Sequence, residues 1–220
     1  MQKLKENKSC LLLFSGGIDS TVLLYHLLHE GYEVIPLTVN FNGRNYKELE
    51  AVKRILKLIG ISNFLEIDLP FIKEFVSLKE EFLKNYDGKF LNVKGYYIPL
   101  RNMIFVSIAA YFAEIYSIPK IFSGHTAEDV NKLPDVNIKF VNAINEALYE
   151  GSYAGKILGL KYEMPFLKLS KLDIARLAVK YSVPLKYTWS CYNSFEEHCE
   201  FCDGCKNRNL FFYFASKINK

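Results

Sequence analysis

Short apolar runs alternate with amphipathic segments in the first third of the chain. Residues 10–14 form a continuous apolar run, typical of a strand buried on both faces, and residues 33–41 and 63–69 have a similar character. Between these runs, residues 22–28 and 46–59 place their apolar side chains on one helical face. The order predicts βαβαβ, and hence an α/β fold with a doubly wound parallel sheet covered by helices on both faces.

The pattern is weaker in the middle of the chain. Residues 71–97 space their apolar side chains irregularly around an Asp-Gly turn, so we expect an insertion or a lid there. Pro99 at a first helical turn predicts a helix over residues 102–117, and residues 120–123 predict another core strand. Three further helices are predicted, over residues 135–149, from the Ser170–Asp173 capping box to about residue 181, and over residues 209–218.

Composition narrows the class of protein. The chain has 220 residues, of which 50% are hydrophobic, and its 28 basic and 24 acidic residues leave a net charge of +4. A dedicated nucleic-acid binder concentrates a larger basic excess on one face, so we expect no stable nucleic-acid partner. No apolar run reaches the ~20 residues of a membrane span, and the N-terminus lacks a signal-peptide core. We therefore expect a cytoplasmic protein with no membrane partner.

Cysteine spacing predicts a metal site near the C-terminus. Four of the five cysteines follow the pattern C-x7-C-x2-C-x2-C, namely Cys191, Cys199, Cys202 and Cys205. Four thiolates can close the tetrahedral shell of structural Zn²⁺, and a reducing cytosol disfavours disulfides. An iron–sulfur cluster or a redox-active cysteine pair is the alternative, and His198 could replace one cysteine, although we expect it to be a solvent-facing loop residue. We expect an α/β domain over residues 1–185, with a zinc-binding segment and closing helix over residues 186–220 packed on it.

The turn after the first apolar run has the chemistry of a phosphate site. Residues 15–21 (SGGIDST) end a predicted strand and open a helix, which brings backbone N–H groups and the positive end of the helix dipole together. The chain has no GK[ST] string of ordinary P-loop ATPases, and Asp19 would instead share Mg²⁺ with the phosphates. A tight turn with Asp19 as a helix cap is the plainer alternative, but the carboxyl end of a strand is where ligands bind in such folds. We assign nucleotide binding to Ser15, Gly16, Gly17, Ile18, Asp19, Ser20 and Thr21.

The SGGIDS string resembles the pyrophosphate-binding loop of the N-type ATP pyrophosphatases, the Rossmann-like adenine nucleotide alpha-hydrolase group. Together with four further strings, it is similar in order, over nearly the whole chain, to the 7-cyano-7-deazaguanine synthase family. These strings are YIPLRNMIF at 97–105, LPD at 133–135, SK at 170–171 and TWSCY at 188–192. The resemblance implies an ATP-dependent ligase that forms a C–N bond. Its substrates would be 7-carboxy-7-deazaguanine and ammonia, its product the nitrile precursor of queuosine and archaeosine, and its metals Mg²⁺ and a structural Zn²⁺.

Carried over by position, the resemblance also implies roles for single residues. Asp19, Arg101 and Lys171 would be catalytic, and Arg101, Asn102 and Asp135 would contact the substrate. Taken alone, these residues could equally be a helix start, an N-cap and a solvated first-turn lysine. The family resemblance further implies a homodimer. His125, just after a predicted strand end and Gly124, could also reach the site.

Three strings depart from the family pattern. Val136 and Asn137 stand where the family has cysteine and arginine, and Lys132-Leu133 stands where it has glycine and tyrosine. Residues 41–45 read FNGRN in place of a YGQRH run. Because these strings belong to acid recognition, one alternative is a paralogue that acts on another acid or amine. A tRNA thiolation enzyme is a second alternative, and a non-enzymatic zinc-containing tRNA-binding module, which the mildly basic charge and the aromatic segments would suit, is a third.

Overall fold

One parallel sheet of five strands organises the chain in a computed structural model, which describes residues 8–41, 44–74, 98–130, 132–193 and 196–218. The strand order is β3-β2-β1-β4-β5. The strands are β1 (Ser9–Leu13), β2 (Glu33–Asn40), β3 (Leu65–Asp68), β4 (Lys120–Ser123) and β5 (Lys161–Glu163). The predicted doubly wound parallel sheet is confirmed.

Helices cover both faces of this sheet. They are α1 (Ile18–His29), α2 (Tyr46–Leu58), α3 (Phe71–Glu74), α4 (Arg101–Ile115), α5 (Ala127–Val130), α6 (Ile138–Gly151), α7 (Tyr153–Leu158), α8 (Lys171–Lys180) and α9 (Asp203–Ile218). A 3-10 turn, Leu185–Tyr187, lies between α8 and the cysteine segment. No helix in these described ranges is both long and apolar enough to cross a membrane.

The core has two layers because side chains alternate along β1. Cys10 and Leu12 point into one layer, which is completed by α1, α2, α8 and Phe211 of α9. Leu11 points into the other layer, with Val106 of α4 and side chains of α6. Since Phe211 belongs to the first layer, the closing helix packs on the α/β core, whereas the division of the chain near residue 185 stays a prediction.

The strand order reverses between β1 and β4. These two neighbours pair in parallel with Leu11 opposite Ile121 and Leu13 opposite Ser123, so their carboxyl ends lie side by side. The first crossover runs to one side of β1 and the later one to the other side, which leaves a crevice above this point. The predicted phosphate loop follows β1 and therefore opens into that crevice.

Several predicted boundaries were wrong. The closing helix begins at Asp203, six residues before the predicted start, and includes Cys205. The helix predicted over residues 135–149 begins at Ile138, because Asn137 caps it and Asp135 lies outside. Strand β5 was not predicted, since three residues are too few for a periodic pattern. Residues 75–97, which make up most of the expected insertion or lid, lie outside the described residues, as do residues 42 and 43.

Candidate active site

The phosphate loop lies against helix α2. Gly16 has a positive φ of 79°, and a Cβ atom there would lie 2.8 Å from the carbonyl oxygen of Glu48. Gly17, in an extended conformation, precedes α1 and accepts hydrogen bonds at its carbonyl oxygen from the Thr21 N–H (3.0 Å) and Thr21 Oγ1 (2.7 Å). The Ser15 and Ser20 hydroxyl oxygens lie 3.0 Å apart. Gly16 thus allows a tight turn that a residue with a side chain could not form here without strain.

The turn after β4 closes on the same loop. A Cβ atom at Gly124 would lie 3.0 Å from both the N and Cα atoms of Ser20, and 3.1 Å from the carbonyl carbon of Asp19. Those atoms are backbone and cannot swing aside. The ends of β1 and β4 are therefore packed together at the first turn of α1, where a helix favours anions.

Asp19 and Lys171, which are far apart in the sequence, form an ion pair at this point. Lys171 Nζ lies 2.7 Å from Asp19 Oδ2, and Asp19 Oδ1 is buried without a hydrogen-bond partner among the described residues. The Ser170–Asp173 capping box starts α8 so that Lys171 is its first residue. The structure thus joins two of the three residues that were predicted to be catalytic.

Two more carboxylates give this ion pair an excess of negative charge. Burial, together with Asp129 and Glu128, raises the pKa of Asp19, and Lys171 offsets this in part. Burial alone would lower the pKa of Lys171, but Asp19 and the same two acids outweigh it, so the pKa of Lys171 is raised. The Asp129 and Glu128 carboxylates act in the same direction on both groups, since the acids outnumber the ammonium group. The net negative charge of this site favours the binding of a further cation.

A cavity of about 530 Å³ connects these groups. Of the residues predicted for the site, eight line it: Ser15, Gly17, Ile18, Asp19, Ser20, Arg101, Asn102 and Lys171. Gly16 and Thr21 do not line the cavity, but they shape the loop through their backbone and hydroxyl contacts. The start of α4, the turn after β4 and the cysteine segment also contribute to the wall, the last through Trp189.

Asp135 contacts the start of helix α4. Its carboxylate accepts a hydrogen bond from the Asn102 N–H (3.1 Å), and its carbonyl oxygen accepts one from Asn102 Nδ2 (3.4 Å). Asp135 therefore fixes the helix that presents Arg101 to the cavity, and it is not among the residues lining that cavity. Val136 is fully buried, and Asn137 caps α6 by accepting from the Phe140 N–H (2.9 Å).

Arg44 is the site residue that sequence reasoning missed. Its guanidinium donates to the carbonyl oxygen of Ser15 (2.9 Å), the hydroxyl of Thr38 (2.7 Å), the carbonyl oxygen of Val39 (2.8 Å) and the carboxylate of Glu48 (3.1 Å). With 6% of its side chain exposed, it fastens the ends of β1 and β2 to α2. The available signal was its place in FNGRN, where it coincides with the arginine of the YGQRH run.

The four predicted metal-binding cysteines come together. Their sulfur atoms all lie within 4.8 Å of one another, and Cys199 Sγ is 3.8 Å from Cys205 Sγ. Burial opposes a thiolate at Cys199, but backbone N–H groups of Cys202 and Phe201 outweigh it and lower its pKa to about 6. Burial raises the pKa of Cys205 to about 12. The four cysteines can all be thiolates only when a cation balances their charge.

His198 does not belong to this cysteine cluster. Its ring packs on Trp189 with the centroids 4.2 Å apart, and its Nε2 atom is buried. The expectation of a solvent-facing histidine was wrong, because the Trp189 indole covers the ring. The indole N–H in turn donates to the carbonyl oxygen of Cys191 (3.0 Å), which connects the first cysteine of the cluster to the cavity wall.

Comparison with known proteins gives a consistent result. Residues 9–215 match the family described as Queuosine biosynthesis protein QueC. A 7-cyano-7-deazaguanine synthase of Picrophilus torridus is 38% identical over 202 residues, which cover 89% of this chain and 82% of that protein. One of Nautilia profundicola is 36% identical over 205 residues, which cover 91% of each.

A solved structure supports the fold alone. A predicted subunit of tRNA methyltransferase from Methanocaldococcus jannaschii has a TM-score of 0.50 at 18% identity, and covers 77% of this chain and 73% of that one. The range of this chain that matches the family, residues 9–215, includes both the phosphate loop and the cysteine cluster. The chain belongs to the QueC family of queuosine biosynthesis proteins.

Proposed function

We propose that this chain is a 7-cyano-7-deazaguanine synthase, which uses ATP to convert 7-carboxy-7-deazaguanine and ammonia into 7-cyano-7-deazaguanine. The observation that carries the proposal is the Asp19–Lys171 pair at the first turn of α1, inside a cavity that also holds Arg101. The family match and the shared names of the relatives support the same reaction.

The phosphates of ATP would bind at the N-terminus of α1. This part of the cavity is lined by the loop residues Ser15, Gly17, Ile18, Asp19 and Ser20 and by Lys171. Mg²⁺ fits at Asp19, because Oδ1 is a buried carboxylate oxygen without a partner and the local charge is negative. When bound, Mg²⁺ supplies positive charge to the phosphate oxygens of the departing pyrophosphate.

The reaction would proceed by adenylation. The substrate carboxylate attacks the α-phosphorus of ATP and displaces pyrophosphate, whose developing charge the loop amides and Lys171 stabilise. Ammonia then displaces AMP from the acyl adenylate and gives an amide, and a second activation by ATP dehydrates the amide to the nitrile. No protein nucleophile is required. The chain's contribution is to align the reactants and stabilise charge.

The acid would be held by cations at the rim of the cavity. Val136 and Asn137, which replace a cysteine and an arginine of the family, here serve the core and the cap of α6. Arg101 and Lys132 line the cavity and could pair with a carboxylate in their place. This arrangement supports acid binding by a route that differs in detail from the family pattern.

The cysteine cluster fits Zn²⁺. Tetrahedral sulfur ligands at about 2.3 Å from zinc lie about 3.8 Å apart. The sulfur atoms of Cys199 and Cys205 have this separation. An iron–sulfur cluster places several iron and sulfide ions between its cysteines and needs wider spacing. Because four protein ligands leave no open position, the zinc would hold the segment together and take no part in the reaction. The reduced thiols it needs support a cytoplasmic location.

A homodimer is part of this proposal. Helices α4 and α7 expose large apolar side chains, among them Tyr111, Ile115, Tyr153 and Ile157. The two helices are adjacent, since the Tyr153 N–H donates to the carboxylate of Glu114 (3.1 Å). Sedimentation equilibrium would show a dimer, and a monomer at micromolar concentration would contradict it.

Product analysis tests the proposed reaction. The purified protein is incubated with ATP, Mg²⁺, ammonium and 7-carboxy-7-deazaguanine, and the products are separated and weighed by mass spectrometry. We expect AMP, pyrophosphate and a nitrile lighter than the acid by the exchange of two oxygens and a hydrogen for a nitrogen. AMP formed with another acid alone would contradict the substrate, and the absence of AMP with every acid would contradict the adenylation.

A further inference from the structure

His125 is placed beside the phosphate loop by the glycine before it. Gly124 packs on the backbone of Ser20 at the first turn of α1, so the next residue emerges directly next to the loop. The His125 ring lines the cavity together with Asp19 and Lys171. None of the roles derived above uses this imidazole.

A chain of hydrogen bonds holds the inner edge of this ring. His125 Nδ1 lies 3.1 Å from Ser123 Oγ, which lies 2.7 Å from the hydroxyl of Tyr162. Tyr162 is 0% exposed, so its hydroxyl hydrogen needs a protein acceptor. Within the described ranges, Ser123 Oγ is the acceptor it reaches.

The direction of these hydrogen bonds bears on which imidazole nitrogen carries the hydrogen. In the arrangement where the Tyr162 hydroxyl donates to Ser123 Oγ, the Ser123 hydroxyl keeps its own hydrogen and can donate it to His125 Nδ1. A neutral imidazole that accepts at Nδ1 carries its hydrogen on Nε2. In this arrangement the edge of the ring away from Ser123 is a hydrogen-bond donor.

The groups around the ring keep it neutral. Asp129 of α5 and Asp135 favour a protonated ring, whereas Arg101 of α4 and Lys171 of α8 oppose it. Burial is the largest influence, and with the two cations it lowers the pKa of His125 to about 4. At neutral pH the ring is thus a donor without charge.

We propose that His125 is a catalytic residue that donates a hydrogen bond from Nε2 to a phosphoryl oxygen of ATP, and that Ser123 and Tyr162 are positioning residues that fix its tautomer. The inference rests on the proposed adenylation. The hydrogen stays on Nε2 throughout, so no proton is transferred. An uncharged donor to the α-phosphoryl group would stabilise the charge that develops there. Because it carries no charge, it would not strengthen the binding of the departing pyrophosphate.

Nitrogen NMR on the uniformly ¹⁵N-labelled full chain tests the tautomer directly. The His125 ring signals are assigned by their loss in His125→Gln. We expect the neutral Nε2–H form from pH 5.5 to 8. In Tyr162→Phe we expect a shift toward a mixture of tautomers, because this variant lacks the hydroxyl that donates to Ser123 Oγ. A ring protonated on Nδ1 in the wild type, or a tautomer unchanged in Tyr162→Phe, would overturn the assignment.

Kinetics test the catalytic role. Removing one preorganised donor lowers kcat by about 100-fold or more. We therefore expect His125→Ala to lower kcat for acid-dependent ATP–pyrophosphate exchange by about that factor, with a smaller change in KM for ATP. His125→Gln, which keeps an amide N–H near the Nε2 position, should recover much of the rate. His29→Gln, an exposed histidine of α1, is the matched control.

The two proposals fail in different ways. If the wild type shows no acid-dependent exchange, the proposed function fails. If the wild type exchanges and folded His125→Ala exchanges equally fast, only the role of His125 fails. Equal losses in His125→Ala and His125→Gln, with unchanged thermal unfolding, would also overturn the donor role.

Discussion

The backbone N–H of Trp189 donates a hydrogen bond to the carbonyl oxygen of Gly16, with 3.0 Å between the two atoms. This contact joins the cysteine segment to the phosphate loop across most of the sequence. A second link lies close by, because Asn45 Nδ2 donates to the carbonyl oxygen of Asn193 (2.6 Å). The cysteine cluster thus supports one wall of the cavity, and its correct folding should affect ATP binding even though no cysteine is among the described residues that line the cavity.

Removal of the metal should therefore weaken ATP binding as well as stability. We expect Cys202→Ala, or treatment with a strong chelator, to lower the thermal unfolding midpoint and to raise KM for ATP several-fold. The reason is that the cysteine segment would no longer hold Trp189 in position to donate its hydrogen bond to Gly16. Differential scanning fluorimetry and steady-state kinetics measure the two effects. Cys10→Ala, a buried cysteine of β1, is the control and should keep one zinc per chain. An apoprotein with wild-type KM would contradict the link.

The contact between Gly124 and the start of α1 predicts a steric effect. In Gly124→Ala, a Cβ atom 3.0 Å from the Ser20 backbone must push the two turns apart. A displacement that costs one hydrogen bond of about 1.4 kcal/mol would raise KM for ATP about tenfold. Gly151→Ala is the matched control, since a Cβ atom there meets nothing within 4 Å. Equal ATP affinity in the two variants would show that the turns do not need this close approach.

Arg44 should be irreplaceable by lysine. An ammonium cannot make four hydrogen bonds in the fork geometry of the guanidinium, so Arg44→Lys leaves the carbonyl oxygens of Ser15 and Val39 without a donor. We expect the free energy of unfolding to fall by about 2–3 kcal/mol and KM for ATP to rise. The control is Arg176→Lys, whose side chain is 60% exposed, and urea unfolding should change little there. A stable Arg44→Lys with normal KM would refute this role.

The lowered pKa of His125 should make the stability of the protein depend on pH. The unfolded chain binds a proton at the ordinary histidine pKa of about 6.5. The folded protein resists protonation until pH falls to about 4. Between these values the unfolded state binds more protons, so stability decreases as pH falls, by at most about 1.4 kcal/mol per pH unit from this residue. His125→Gln should lose less stability than the wild type between pH 7 and pH 5 in urea unfolding. Parallel curves for the two proteins would contradict the burial of a neutral ring.

The sequence predicted those parts of the site that are contiguous along the chain. The phosphate loop and the cysteine cluster are local strings whose spacing reflects their own geometry, and both came together as expected. Asp135 differs, because its partner is the start of a helix that its own neighbourhood cannot reveal. Arg44 likewise acquires its contacts only when two strand ends and a helix meet.

The same limit applies to the fold. Long amphipathic and apolar segments such as α2 and β2 have a periodicity that predicts them, within one or two residues at each end. Strand β5 has three residues and is defined by pairing with β4, and α9 begins early because the cysteine cluster organises its first turn. The pairing of β5 with β4 and the packing of the cysteine cluster determine these boundaries, and the periodicity of the sequence does not reveal either of them.

The central claim is that the loop after β1 binds the pyrophosphate end of ATP for the adenylation of an acid. Exchange of labelled pyrophosphate into ATP, with and without 7-carboxy-7-deazaguanine, tests this most directly in the wild type and in Asp19→Asn. We predict exchange that requires the acid in the wild type, and a loss of at least about 100-fold in folded, zinc-loaded Asp19→Asn. Wild-type exchange in Asp19→Asn would contradict the account.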